Sequence, residues 1–304
     1  MSESGETVVD RQNSPRGMKL LRARSEIYQR AARLQKAQFT LTVLVPFVGA
    51  VLGLLFEDAR SYVAASSLVI AILDIALFDR AQRNQLKLAA RISELFDSEV
   101  LDIPWSSHAA GARPNPEQIN EAAAAWRLGD DNLKDWYPSA VANAPLYLAR
   151  IICQRTNLWY DAEVRRRYSS ILLGVGLTAF TALFVVGLTQ NMTVIDFVAT
   201  ILTPAAPILN WTLRDFYRQR DAAESQTIAR SEVDQLWALV LEGKCDSEEC
   251  IKRSRELQNT IFTRRSTNPL VFPGIYNRLR PSMEIQMNAG AEELLAQVRN
   301  AIPG

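Results

Sequence analysis

The sequence predicts an all-α integral membrane protein. Two transmembrane helical hairpins, four spans in all, carry a helical cytoplasmic domain built from extensions of the same helices. Three observations predict this. Four stretches hold no lysine or arginine: Phe39–Phe56, Tyr62–Phe78, Ile171–Leu188 and Met192–Leu213. Each reaches the roughly 17–25 apolar residues that a helix needs to cross the hydrocarbon core. Of the 34 basic residues, 8 precede Phe39, 12 lie between the hairpins and 13 follow Leu213, with Arg60 alone in a turn. No alternating strand pattern lasts long enough to compete with helical periodicity.

The elements follow in order. Residues 1–38 are a cytoplasmic N-terminal segment, with an amphipathic helix over 14–38. There Leu20, Leu21, Ile27, Tyr28, Ala31 and Leu34 recur near helical spacing among basic side chains. Residues 39–78 are transmembrane hairpin 1, turned at Glu57–Ser61. Its run LTVLVPFVGAVLGLLF lacks the polar face that a soluble core helix keeps. Gly49-x-x-x-Gly53 marks a small-residue helix contact.

Residues 79–168 are a cytoplasmic helical region. Its first helix, 79–100, continues the second span, with Leu86, Leu88, Ile92, Leu95 and Phe96 on the apolar side. Pro104, Pro114 and Pro116 mark a loop, 117–128 an Ala-rich helix, and Trp136-Tyr137-Pro138 a break. A helix from Pro145 to Tyr168 then feeds the third span, and its Arg165-Arg166-Arg167 reads as an interfacial anchor for anionic lipid.

Residues 169–213 are transmembrane hairpin 2, turned at Thr189–Asn191. Residues 214–304 are a cytoplasmic C-terminal helical region. It comprises a long helix Arg214–Leu241 stopped by Gly243, and a second over Ser247–Thr263 opened by Asp246 or Ser247. A loop at Pro269–Pro273 and a last amphipathic helix around Met283–Ala301 complete it. The basic residues place both termini and the central region in the cytoplasm. With a polar N-terminal segment, the first hairpin serves as its own insertion signal.

Composition excludes several classes. An apolar fraction of 48% with a net charge of +1 excludes a disordered chain and a nucleic-acid coat, so no nucleic-acid partner is expected. Three cysteines make no disulfide framework. One histidine, His108, makes no multi-His metal site, and Cys245-x4-Cys250 lacks zinc-knuckle spacing. No metal is expected, and no cofactor. No Gly-rich phosphate loop, Gly-x-Ser-x-Gly or His-Glu-x-x-His is present, so no enzyme is expected. Asp74 and Asp196, the two acids within the apolar stretches, fall towards opposite faces and make no intramembrane acid pair.

The fourth stretch carries more information. Thr193, Asp196, Thr200, Thr203, Pro207 and Asn210 are spaced 3, 4, 3, 4 and 3, which puts them on one stripe of an ideal helix. Polar groups at membrane depth avoid lipid. The stripe therefore either packs against another helix or lines an aqueous pore assembled from several chains. Asp196 would then form a cation-attracting ring, and Pro204 and Pro207 would permit a kink. Gly174, Thr178 and Thr181 make a smaller stripe on the third stretch.

A second set of residues suggests a small-molecule site. Arg11-Gln12-Asn13 precedes the first hairpin. Gln154, Arg155 and Asn157, followed by Trp159, Tyr160 and Asp161, precede the second. Arg264, Arg265, Tyr276, Arg278 and Arg280 lie in the tail, and Trp136 and Tyr137 in the break. Guanidinium for phosphate, amide for base edge and ring for stacking suit a nucleotide. Caps and salt bridges use the same residue types.

Several of these pieces form a longer pattern. It comprises RQN at 11–13 with Leu20, Leu21 and Tyr28, then DWYP at 135–138 and CQRTNLWYD at 153–161. Arg167-Tyr168 follows, and then Arg264-Arg265, Asn268-Pro269-Leu270, Tyr276, Arg280 and Met287. In these the chain resembles the four-transmembrane effectors associated with cyclic-oligonucleotide synthases in bacterial antiphage systems, the SMODS-associated class of CBASS. The resemblance implies a multi-pass protein of the bacterial inner membrane. A partner nucleotide cyclase supplies its regulatory ligand, a cyclic nucleotide second messenger, and it self-associates to permeabilise the bilayer. The alternative is a non-conducting membrane scaffold that recruits a cytoplasmic partner.

Overall fold

A computed structural model describes residues 6–73 and 78–301. Asp74 lies outside the described residues. Among the described residues every regular element is helical. The chain runs through α1 (Val8–Asn13), α2 (Pro15–Phe39), α3 (Val45–Leu55), α4 (Arg60–Leu73), α5 (Asp79–Val100) and α6 (Ser107–Ala110). It continues through α7 (Pro116–Ala125), α8 (Leu146–Thr189), α9 (Val194–Phe197), α10 (Thr203–Leu241), α11 (Ser247–Thr267) and α12 (Pro273–Ala301).

Local chemistry sets the ends. Thr7 and Asp10 form a capping box on α1, a short helix the periodicity did not reveal. Ser14 then caps α2, with Pro15 in its first turn, where a missing N–H costs nothing. Gly17 makes the α1–α2 corner possible, because a Cβ there would meet the Arg11 carbonyl oxygen at 2.5 Å. Asp246 caps α11 through the Glu249 N–H at 2.8 Å. The tail helix begins at Pro273, ten residues before the expected Met283, and runs through Pro281. Pro273 reads as a stop in sequence, yet proline suits a first helical turn.

Two π turns, Thr40–Leu44 and Val198–Leu202, stand just ahead of Pro46 and Pro204. A π turn absorbs one extra residue where proline disrupts the ordinary ladder. The helix is otherwise continuous from Pro15 to Leu55 and from Val194 to Leu241. Among the described residues, those two and α8 are the three helices long and apolar enough to cross a membrane. The stretch Tyr62–Phe78 is described as far as Leu73, in α4, which is joined to α3 by the turn Glu57–Ala59. Gly49 and Gly53 give close approach, the first to Val63 of α4 and the second to Thr200.

The second π turn corrects the six-residue stripe. Inserting a residue at Val198–Leu202 rotates the lower part of the helix out of phase with the upper. Thr200 and Pro207 are buried within the chain, Thr203 is half-buried, and Thr193 and Asn210 are exposed. Asp196 pairs with Arg60 at 3.2 Å. On α8, Gly174, Thr178 and Thr181 are all exposed. Gly174 faces open space, whereas Gly176 and Gly187 carry the close contacts, with Thr212 and with Ile201 and Phe197.

The rest is a helical body whose main core joins α2, α5, α7, α8, α10, α11 and α12 around Leu20, Ile92, Phe96, Ile119, Ile151 and Val233. Two carboxylates lie inside it. Asp97 accepts from Arg265 at 2.5 Å and from the Tyr137 hydroxyl at 2.6 Å. Glu94 accepts from Arg255 at 2.7 Å, and Gln258 Nε2 donates to both acids. Burial, and next the Asp97 charge, raise the Glu94 carboxyl above its usual range.

Candidate functional site

A groove open to solvent lies on the helical body. One wall is α8, which presents Thr156, Asn157 and Tyr160 from successive turns. The other is α12, where Tyr276, Arg280, Glu284 and Met287 repeat at helical spacing. The floor is the segment Trp136–Tyr137. Tyr160 and Tyr276 close one end with ring centroids 6.3 Å apart.

The floor is held in place from below. Gln12 clamps the Tyr137 backbone, accepting from its N–H at 2.7 Å and donating to its carbonyl at 3.3 Å. Asn13 exchanges hydrogen bonds with Asp135, at 2.8 and 3.1 Å. Asp135 has φ of 52°, a left-handed conformation that a non-glycine residue adopts only with support. Asn13 supplies that support. The Tyr137 hydroxyl is anchored on Asp97, and burial raises it far above the ordinary phenol range.

Arg24 of α2 stands beside this floor. Its guanidinium lies over the Trp136 ring at 3.9 Å and the Tyr28 ring at 5.5 Å. Its Nε has no hydrogen-bond partner among the described residues. Burial lowers its pKa, and so does nearby Arg265, although Tyr28 opposes the shift. A desolvated cation resting on rings gains from an incoming anion. Arg280 is steered by Glu284 at 2.5 Å and donates to the Asn132 carbonyl at 2.7 Å. The groove therefore offers four aromatic side chains, amide and hydroxyl groups, and cations at its edge.

The structure divides the residues expected from sequence. Trp136, Tyr137, Asn157, Tyr160, Tyr276 and Arg280 line the groove. Gln12 and Asn13 shape its floor from beneath, and Arg265 holds Asp97 under Tyr137. The others are placed elsewhere. Gln154 bridges α8 to α11 through the Ser254 carbonyl and Gln258. Arg155 is paired with Asp234 at 2.5 Å. Asp161 accepts from Arg165 at 2.7 Å and Gln226 at 2.6 Å, joining α8 to α10. Arg11 is half-buried near Arg150, and Arg264 is drawn towards Glu232. Arg24, Thr156 and Glu284 were missed. Only the i, i+4, i+8 run from Tyr276 through Arg280 to Glu284 was available to find the last.

The described residues contain no metal-ligating cluster, and all three cysteines are free. The Cys250 thiol is pushed up to about 12, chiefly by burial.

A family profile described as the SMODS-associating 4TM effector domain matches residues 6–294. A probable CBASS effector molecule of Bacillus cereus (strain VD146) is 22% identical over 288 residues, covering 90% of this chain and 88% of that protein. No solved structure matches the chain. The three long apolar helices agree with the transmembrane character that the profile names. Matched over nearly its whole length, the chain belongs to the SMODS-associating 4TM effector family.

Proposed function

We propose that the protein is an antiphage defence effector of the CBASS type. It crosses the bacterial inner membrane four times with both termini in the cytoplasm. A cyclic oligonucleotide from a partner cyclase binds the groove, and an oligomer of the chain then permeabilises the membrane. Bases stack on Trp136, Tyr160 and Tyr276, while Arg24 and Arg280 meet the phosphates and Asn157 reads a base edge.

One observation carries this reading. Thr156, Asn157 and Tyr160 share the unbroken 44-residue helix α8 with the apolar stretch Ile171–Leu188. At 1.5 Å per residue, about 20 Å of rigid helix separates groove from bilayer. A ligand that prefers one placement of α8 shifts the population of the membrane arrangement by that preference. The α8–α10 contact, the most extensive in the fold, carries the shift to the fourth stretch.

The test uses full-length protein in dye-loaded liposomes with a panel of cyclic di- and trinucleotides. One of them should release dye, and Trp136→Ala should weaken its binding about tenfold or more, the worth of one stacked base. Asp196→Leu should abolish release while ligand binding persists. Unchanged release in this variant overturns a pore-lining role for Asp196. The burial of Thr200 and Pro207 within one chain favours a second reading, a non-conducting scaffold. Ligand binding without leakage, together with capture of a cytoplasmic partner, would select it.

A further inference from the structure

A second recess, open to solvent, lies where the apolar helices join the helical body. We propose that it binds a phosphate ester bearing a free hydroxyl, of the glycerophosphate kind. Gln35 and Gln38 enter it from the last turn of α2 before the first apolar stretch. Gln82 and Arg83 enter from the start of α5, and Arg214 and Arg218 from α10 just beyond the fourth stretch. Each element contributes where it leaves the apolar layer.

Three guanidinium groups thus converge on one recess. Each has neighbours within the protein, but five N–H donors let a guanidinium hold a phosphate beside another partner. Among the described lining residues Asp215 is the one carboxylate, and it already accepts the Tyr168 hydroxyl at 3.0 Å. The local balance favours an anion. The rim is preformed. Leu270's carbonyl accepts from Gln219 at 2.7 Å and from Gln35 at 3.2 Å, and Pro269's carbonyl accepts from Arg165 at 2.7 Å.

Gln35 supplies the second half of the assignment. The residue is 5% exposed, and its Oε1 accepts no hydrogen bond among the described residues. A buried amide oxygen requires a donor. The oxygens of an ionised phosphate ester are acceptors and cannot satisfy it. A hydroxyl on the same ligand can, while the arginines take the phosphate. Arg166 and Arg167, two of the three arginines expected to meet lipid, are engaged by Glu163 at 3.3 and 2.9 Å and do not line the recess.

This chemistry has two sources, a phosphatidylglycerol headgroup and soluble glycerol phosphate. Full-length protein in non-ionic detergent, its unfolding followed by tryptophan fluorescence, is titrated with dioleoylphosphatidylglycerol and with sn-glycerol 3-phosphate. Phosphatidylethanol and ethyl phosphate, at pH 8 where the phosphate esters are fully ionised, are the hydroxyl-free counterparts. The proposal expects a saturable rise in Tm with one of the first two probes, which names the source. The matching hydroxyl-free probe should need about fivefold more to half-saturate. Arg214→Gln/Arg218→Gln should weaken the response about tenfold or more, and Arg166→Gln/Arg167→Gln less than twofold. No saturable rise in the wild type, or equal weakening in both double variants, overturns the site. Equal half-saturation with and without the hydroxyl overturns the role of Gln35. The comparisons within the wild type hold even if a variant fails to fold.

Discussion

Leu20, Leu21, Ile92 and Ile152 of the helical body are completely buried, and the carboxylates Glu94 and Asp97 are buried beside their cations. Further along the same helices, or on their neighbours, Leu55, Ile72, Val175 and Leu188 stand open. In the body, apolar atoms pack inward and the two buried carboxylates are paired. In the apolar helices, packing is confined to a thin seam around Ala50, Leu183, Ile201 and Ile208. The difference lies in the surroundings each region is built for. In water the body is driven together by apolar burial. Lipid is as apolar as leucine, so the other region relies on close backbone approach and a few polar contacts. The same kind of substitution should therefore act through different physics in the two regions.

The largest effect is expected in the body. Arg265→Met removes the cation from Asp97, which is 1% exposed. Breaking a buried pair on one side costs about 3–5 kcal/mol. Denaturant unfolding of the variant should show that loss, and Asp97→Asn in the same chain should recover most of it. A loss no larger than that of a surface pair would mean the network is wetter than its geometry indicates.

The apolar region should respond to volume. A Cβ at Gly176 would collide with the Thr212 side chain of α10, whereas one at Gly174, two residues away, meets nothing within 4 Å. Gly176→Ala should destabilise the α8–α10 pair by about 1–3 kcal/mol, the usual cost of overpacking. Gly174→Ala should change it by less than about 0.5 kcal/mol. Unfolding in mixed detergent micelles measures both. Equal effects would erase the seam.

Gly174 also shows what the sequence could convey. Helical periodicity was legible wherever one face was consistently apolar, so α5 appeared at its observed length and α8 ran unbroken into its apolar stretch. One proline misled, because Pro273 read as the end of a loop and opens a helix. The stripe on the fourth stretch assumed an ideal helix, and a π turn has no periodic signature. In the site, aromatics beside arginine were legible as a place, at Trp136, Tyr137 and Arg280. Whether an amide faces a ligand or a neighbouring helix is decided by tertiary contact, and Gln154 faces Gln258. Arg24 looked like one more solvated cation on an amphipathic helix until the fold set Trp136 beneath it.

The smallest effect concerns the far end of the apolar helices. Arg60, the one basic residue outside the main groups, donates to the Gly53 carbonyl at 3.1 Å and pairs with Asp196 at 3.2 Å and Glu57 at 3.4 Å. It ties the turn between α3 and α4 to the start of α9, across the two halves of the apolar region. Asp196 is 36% exposed on its side chain, so solvent screens the pair. A double-mutant cycle on Arg60→Met and Asp196→Asn should give a coupling of about 0.2–1 kcal/mol, falling as salt rises. The Arg60 variant should lose somewhat more than that coupling, because its bond to the Gly53 carbonyl goes as well. A coupling of several kcal/mol, insensitive to salt, would show that this end is closed to water, and the contrast with the paired, buried body would then shrink to the lipid-facing side chains.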